Sequence, residues 1–197
     1  MKHPTILGID PGTKEMGLAV LRGKELRFFG VRALRNGKRP YDVIGQARHV
    51  VLNAIETYEP DIVAIEQPFN LATTRSHVLN VIADELYERV REIGLKLVVL
   101  PPDVIRLRVV GNPLATKIEV AQVLVDRGFE QLRALIPKPP ARAALGLRPK
   151  DKYWLHMFDA LALALAAGGS GTESQSPSRK DQDRSAPAFH PSSTSAR

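Results

Sequence analysis

The sequence TILGIDPGTKEMGLAVLRGKELRFFGV, at residues 5–31, contains three apolar runs separated by Asp10-Pro11-Gly12 and Arg22-Gly23. Short apolar runs joined by such turn-forming sequences are typical of β-strands that follow one another in a sheet. We therefore predict three successive antiparallel strands at 5–10, 17–21 and 25–31.

The pattern changes after this stretch. Asp42 precedes apolar residues that recur with a 3.6-residue period, which predicts a helix capped by Asp42 and ended by Pro60. A strand at 61–66, a helix at 74–93 and a strand at 96–100 follow. Because helices and strands alternate here, we expect parallel pairing of the strands.

The remaining sequence predicts helices. A short helix follows Pro101-Pro102, and Thr116 to Glu119 has the spacing of a capping box that opens another helix. After a proline-rich segment at 137–149, a last helix is expected at 151–167. The predicted fold class is α/β, with a mixed five-stranded sheet and helices on both of its faces.

The composition sets limits on chemistry and domain organisation. The chain has 197 residues, a net charge of +7 and no cysteine, so disulfides, thiolate metal sites and thiol nucleophiles are excluded. The basic excess favours a polyanionic partner. Residues 168–197 include eight serines and one large apolar residue, Phe189. We predict one domain at 1–167 and a disordered tail at 168–197.

Two features bear on location. The first residues lack the apolar stretch and cleavage site of a signal peptide, and the longest apolar run, 160–167, is shorter than a membrane span. We therefore expect a cytosolic protein without membrane contact.

Two carboxylates end predicted strands. Asp10 follows the first strand, and Glu66 ends the apolar run DIVAIE. Asp10 also suits a simple turn, and Glu66 also suits a solvated strand end. If the two strands are parallel neighbours, however, both carboxylates emerge at one edge of the sheet, where they can share a cation.

His156 and Asp159 lie three residues apart, on one face of the last helix. Asp159 precedes the apolar sequence ALALALAA, among which an unpaired carboxylate is costly. Together with Asp10 and Glu66, the pair supplies oxygen and nitrogen donors suited to one or two hard divalent cations.

The sequence resembles the RuvC-type Holliday junction resolvases of the RNase H-like nuclease superfamily. Four motifs carry the resemblance: GIDPGT at 8–13, IEQPF at 65–69, VVGNPLATK at 109–117 and HMFDALALAL at 156–165. It implies that Asp10, Glu66, His156 and Asp159 are catalytic residues that bind two Mg²⁺ or Mn²⁺ ions. It also implies that Phe69 contacts bases near the junction and that Lys117 lies near the scissile strand.

A basic segment departs from the family pattern. Residues 133–152 carry six basic side chains and one acid. Of these, Arg148, Lys150 and Lys152 directly precede the predicted catalytic helix, where they could bind a phosphate backbone. A solubilising loop is the alternative interpretation.

The resemblance favours a crossover junction endodeoxyribonuclease that resolves Holliday junctions by paired phosphodiester hydrolysis. A homodimer, with an interface that involves the helix at 74–93, and a branch-migration helicase partner are expected with it. The alternatives are a related nuclease that acts on flaps, other branched DNA or RNA in the manner of YqgF/RuvX relatives, and a nucleic-acid-binding protein that does not cleave.

Overall fold

One mixed sheet of five strands, in the order β3-β2-β1-β4-β5, forms the centre of the fold. The structure is a computed structural model that describes residues 3–34, 40–68, 74–138 and 149–169. The strands are β1 (Thr5–Asp10), β2 (Glu15–Arg22), β3 (Glu25–Ala33), β4 (Ile62–Glu66) and β5 (Lys96–Leu100). β1 pairs with β2 and β2 with β3 in antiparallel fashion, whereas β1 with β4 and β4 with β5 are parallel. The predicted mixed sheet is confirmed.

Helices cover both faces of this sheet. They are α1 (Pro40–Tyr58), α2 (Thr74–Glu92), α3 (Pro102–Val110), α4 (Lys117–Asp126) and α5 (Pro149–Gly168). α1 and α2 pack on one face, where their apolar side chains meet Leu7 and Ile9 of β1. α3, α4 and α5 pack on the other face, where they meet Ile6. Because side chains alternate along a strand, Asp10 lies on the same face as Ile6, under α5.

Several element ends differ from the prediction. α1 begins at Pro40, so Asp42 lies in its first turn and is not the cap; proline suits the first turn because it has no N–H to leave unpaired. A 3₁₀ helix at Glu130–Leu135 was not predicted, because six residues are too few for a helical period to show. α5 extends to Gly168, one residue beyond the predicted domain boundary.

The predicted capping box is confirmed. The Thr116 amide donates to Glu119 Oε2 at 2.6 Å, and the Glu119 amide donates to Thr116 Oγ1 at 3.3 Å. This exchange fixes the first turn of α4, and therefore the position of Lys117.

Among the helices of the described residues, none is long and apolar enough to cross a membrane.

α5 lies against the main chain of β1 and β2. A Cβ added to Gly8 would lie 2.1 Å from the main-chain oxygen of Ala160, and one added to Gly17 would lie 1.9 Å from that of His156. Since His156 and Ala160 are one helical turn apart, both glycines face a single stripe of α5. Glycine is required at both positions because the helix leaves no room for a side chain.

Gly8→Ala is expected to destabilise the protein by about 3 kcal/mol, because α5 must move away from β1 to make room for the methyl group. For a chain of this size, that loss corresponds to a fall of roughly 6–12 °C in melting temperature. The matched control is Gly45→Ala in α1, where an added Cβ meets nothing within 4 Å. This control should stabilise the protein by about 1 kcal/mol. Equal melting temperatures for the two variants would contradict the close contact of α5 with β1.

Candidate active site

The ends of β1 and β4 bring two carboxylates together. These strands are parallel neighbours, with Ile9 paired to Ile65. Asp10 and Glu66 each follow the paired isoleucine by one residue, so both stand at the same edge and on the same face of the sheet. Asp10 is 5% exposed. The predicted convergence of these two carboxylates is therefore observed.

α5 adds two more polar side chains from above the sheet. His156 Nδ1 lies 2.6 Å from Asp10 Oδ2. Asp159, one turn further along the helix, is 9% exposed and accepts a hydrogen bond from Lys117 Nζ. All four predicted ligands thus lie around the end of β1, and Lys117, from the start of α4, joins them.

The carboxylates repel one another in this partly buried site. Burial raises the pKa of Glu66 well above its ordinary value, and the charges of Asp10 and Asp159 raise it further. Burial also raises the pKa of Asp159, against the opposing influence of Lys117. Both shifts mean that the protonated, neutral form of these carboxyl groups is favoured more than it would be in water.

The neighbouring carboxylates also shift the pKa values of the two cationic side chains, Lys117 and His156. Burial alone would lower the pKa of Lys117, but Asp159 and Asp10 outweigh it and the pKa is raised. In His156, burial again lowers the pKa, while the hydrogen bond and the charge of Asp10 raise it, with a net increase. Positive charge is therefore favoured at both positions.

Two of the predicted metal ligands are paired with cationic side chains in this structure. Among the described residues, no three His, Asp or Glu side chains are arranged to hold one ion together. Instead, Asp10 is paired with His156, and Asp159 with Lys117. The reason is electrostatic: a buried carboxylate requires a positive partner, and these two side chains are within reach.

Two openings flank the cluster. A cavity of about 170 Å³ is lined by Asp10, Glu66 and His156 together with the loop after β1. A second cavity of about 400 Å³ is lined mainly by apolar surface and includes Lys117 and Lys152. His156 borders both cavities, so the larger one lies beside the carboxylates.

The other predicted DNA-binding residues are described only in part. Lys152 is exposed on the first turns of α5, beside the second cavity. Lys150 belongs to the same helix, but its side chain is not among those that the structure describes. Phe69 and Arg148 lie outside the described residues.

Glu15, which was not among the predicted site residues, also lies beside His156. Its Oε2 lies 3.7 Å from His156 Nε2, on the side of the imidazole away from Asp10. A signal was available, because Glu15 precedes Gly17 by two residues in a strand, and residues so spaced lie on the same face.

Comparison with known proteins places the chain in a family. The family model for the crossover junction endodeoxyribonuclease RuvC matches residues 6–166. RuvC of Bacteroides fragilis is 33% identical over 129 residues, which cover 63% of this chain and 69% of that relative. RuvC of Mycobacterium ulcerans is 28% identical over 153 residues, which cover 71% of this chain and 77% of that relative.

Solved structures agree in fold. Thermus thermophilus RuvC in complex with a Holliday junction substrate aligns with a TM-score of 0.61 and 23% identity, over 83% of this chain and 92% of that one. The yeast mitochondrial Holliday junction resolvase Ydc2 aligns with a TM-score of 0.60 and 16% identity, over 85% and 80% of the two chains. The family match covers all of the sheet except Thr5 and nearly all of α5, and the chain belongs to the RuvC family of crossover junction endodeoxyribonucleases.

Proposed function

We propose that Asp10, Glu66, His156 and Asp159 are the metal-binding catalytic residues of this crossover junction endodeoxyribonuclease. The observation that carries the proposal is the gathering of three carboxylates and one imidazole where β1, β4 and α5 meet. Nucleases of the RuvC family depend on divalent metal. We further propose that the ions are Mg²⁺ or Mn²⁺ and that each site takes two.

The donor set fits such ions. Carboxylate oxygens suit Mg²⁺, and Mn²⁺ also accepts an imidazole nitrogen. The raised pKa of Glu66 supports the same conclusion, because its causes include the charges of Asp10 and Asp159. A cation held among the three carboxylates would relieve this repulsion.

Divalent cations bound here would activate a water molecule for attack on the phosphodiester and neutralise charge on the departing 3′ oxygen. The residues of the chain would prepare the site for that chemistry. Asp10 and Glu66 are fixed by adjacent strands, and His156 and Asp159 by α5, so their relative positions depend on rigid elements. Lys117 pairs with Asp159 in this structure, and its ammonium would turn to a phosphate of the scissile strand when cations replace it.

We propose that four-way junctions are the preferred substrate and that a two-fold homodimer cuts them. Two equivalent strands of a junction must be cut, and two sites related by a two-fold axis match this symmetry. The predicted interface on α2 would include Val81, an apolar side chain that is 50% exposed. A branch-migration helicase partner and a cytosolic location remain predictions.

Domain organisation belongs to the same proposal. We propose that residues 1–167 form the nuclease domain, with Gly168 completing α5, and that the serine-rich tail is dispensable for cleavage. The composition of the tail supports this assignment.

Asp10→Asn is expected to abolish cleavage of a labelled four-way junction in Mg²⁺ or Mn²⁺, while junction binding is retained. The substitution removes ligand charge but leaves the basic surface intact. Cleavage products and gel-shift affinity measure the two effects. The matched control is Asp126→Asn, which changes an exposed carboxylate at the end of α4 and should cut normally.

The same assay should include flap, duplex and RNA substrates, with sedimentation of the protein alone and with the junction. Paired cuts in the junction by a dimer are expected. Cleavage by Asp10→Asn would contradict the metal site. Preferential cutting of flaps or RNA, or single cuts by a monomer, would favour a different nuclease, and binding without any cleavage would favour a non-catalytic protein.

Glu66→Gln is expected to raise the melting temperature of the metal-free protein at pH 8 and to reduce the stabilisation that Mg²⁺ provides. Because the pKa of Glu66 is raised in the folded state, stability is lost as the pH rises from the ordinary carboxyl value towards the raised one, where the unfolded chain has already ionised, and glutamine avoids this cost. Each kcal/mol corresponds to roughly 2–4 °C. Thermal melts with EDTA or with Mg²⁺ measure both effects. A lower melting temperature in EDTA, with the Mg²⁺ shift unchanged, would contradict the assignment.

Neutralising Arg148, Lys150 and Lys152 together should reduce the salt dependence of junction binding. Each phosphate contact contributes about 0.9 to the slope of log affinity against log salt on B-DNA, so a fall of about 2–3 is expected. Binding titrations over a range of salt concentrations measure it. Replacing Lys24, which lies in the β2–β3 turn, should leave the slope unchanged. An unaltered slope in the triple variant would make the basic segment a solubilising one.

A further inference from the structure

The turn after β1 brings Glu15 back towards the active site. Asp10 pairs with Gly17, which is the last pair of the β1–β2 ladder, so Glu15 extends beyond the end of β1. A Cβ on Gly12 would lie 2.0 Å from the main-chain oxygen of Glu15, which shows how tightly the turn closes. Glu15 is therefore held near the end of β1, although four residues separate it from Asp10 in the chain.

The side chain of Glu15 faces the same helix as Gly17. Glu15 and Gly17 are two residues apart in β2, so they lie on the same face of the strand. The main-chain oxygen of His156 lies directly over Gly17 on that face. The carboxylate of Glu15 consequently stands beside the imidazole. Its Oε2 is 3.7 Å from Nε2, an ion-pair distance that is longer than a hydrogen bond, and the Glu15 side chain is 37% exposed. A small rotation of this side chain would bring the two atoms to hydrogen-bond distance.

The imidazole thus lies between two carboxylates. Its Nδ1 faces Asp10 at 2.6 Å, and its Nε2 faces Glu15. A neutral imidazole carries hydrogen on one nitrogen, and the other is free to bind a metal. Metal-binding histidines generally donate their remaining N–H to a carboxylate or carbonyl oxygen, which fixes the ring and its tautomer.

Without a metal, the positively charged ring carries hydrogen on both nitrogens, and Nδ1 donates to Asp10. We propose that Glu15 is a positioning residue for His156: it accepts the hydrogen of Nε2 and holds the ring so that a divalent cation can take the place of the hydrogen on Nδ1, which is released to solvent. The inference rests on the proposed function, because it needs His156 to be a metal ligand. It concerns a residue outside the four proposed ligands. Glu15 acts through His156 and does not itself bind the ion.

A double-mutant cycle on the full-length chain distinguishes this role from a general effect of negative charge. Mn²⁺ affinity is measured by isothermal titration calorimetry for wild type, Glu15→Gln, His156→Asp and the double variant. Glu15→Gln should weaken Mn²⁺ binding by about tenfold in the wild-type background. With aspartate at position 156 there is no ring to orient, so the same change should leave affinity unchanged or increase it.

Glu25→Gln is the matched control, because Glu25 is an exposed carboxylate at the start of β3. It should leave affinity unchanged. Imidazole ¹⁵N chemical shifts of the Mg²⁺-loaded protein provide a second readout. Wild type should show one tautomer with hydrogen on Nε2, and Glu15→Gln a mixture. Circular dichroism melts establish that each variant is folded.

Equal losses of affinity in both backgrounds would overturn the inference and make Glu15 a general source of negative charge. Unchanged affinity and ¹⁵N shifts in Glu15→Gln would also overturn it. Failure of the proposed function gives a different result: folded wild-type protein would bind no Mn²⁺, with or without Glu15.

Discussion

Repulsion among carboxylates at the end of the sheet is the constraint on which the site depends. Asp10, Glu66 and Asp159 are brought together where water is partly excluded, and their charges cannot be separated without moving a strand or α5. The chain compensates with Lys117 and His156. The same positions that attract these side chains are the positions at which divalent cations would be most strongly held. The ion pairs and the proposed metal site would thus both stabilise negative charge at the end of the sheet.

The fold creates this repulsion through simple topology. Parallel pairing of β1 and β4 places two strand ends side by side, and the antiparallel β2 returns the chain towards the same edge. α5 then crosses the face of β1 and β2 with its polar end at that edge. Each element also contributes to the hydrophobic core. The residues of the site are therefore held by elements of the hydrophobic core.

Much of this arrangement was predictable from the sequence. The apolar runs that end in Asp10 and Glu66 indicated strands, and the alternation with helices indicated parallel pairing, so the meeting of the two carboxylates followed. The spacing of His156 and Asp159 placed both on one helical face. These predictions rest on local periodicity, which a single sequence displays directly.

The partners of these residues could not be predicted in the same way. The contact of Lys117 with Asp159 depends on how α4 packs beside α5, and that packing joins residues 42 positions apart. The contact of Glu15 with His156 depends on the tight turn after β1 and on the course of α5 over Gly17. Boundaries such as the start of α1 at Pro40 depend on tertiary context more than on the cap that the sequence suggested at Asp42.

The contact of α5 with the main chain of Gly8 and Gly17 has a consequence for how the protein can change over time. Where two elements are separated by side chains, substitutions in the layer between them shift their spacing by fractions of an ångström. Here that layer is reduced along one stripe of α5, so the spacing is set mainly by main-chain atoms. Mutations at Leu161 or Leu163 can lower stability while the imidazole stays at its distance from β1. Side chains of the core can therefore be replaced during evolution, whereas the alignment of the reactive groups must be kept.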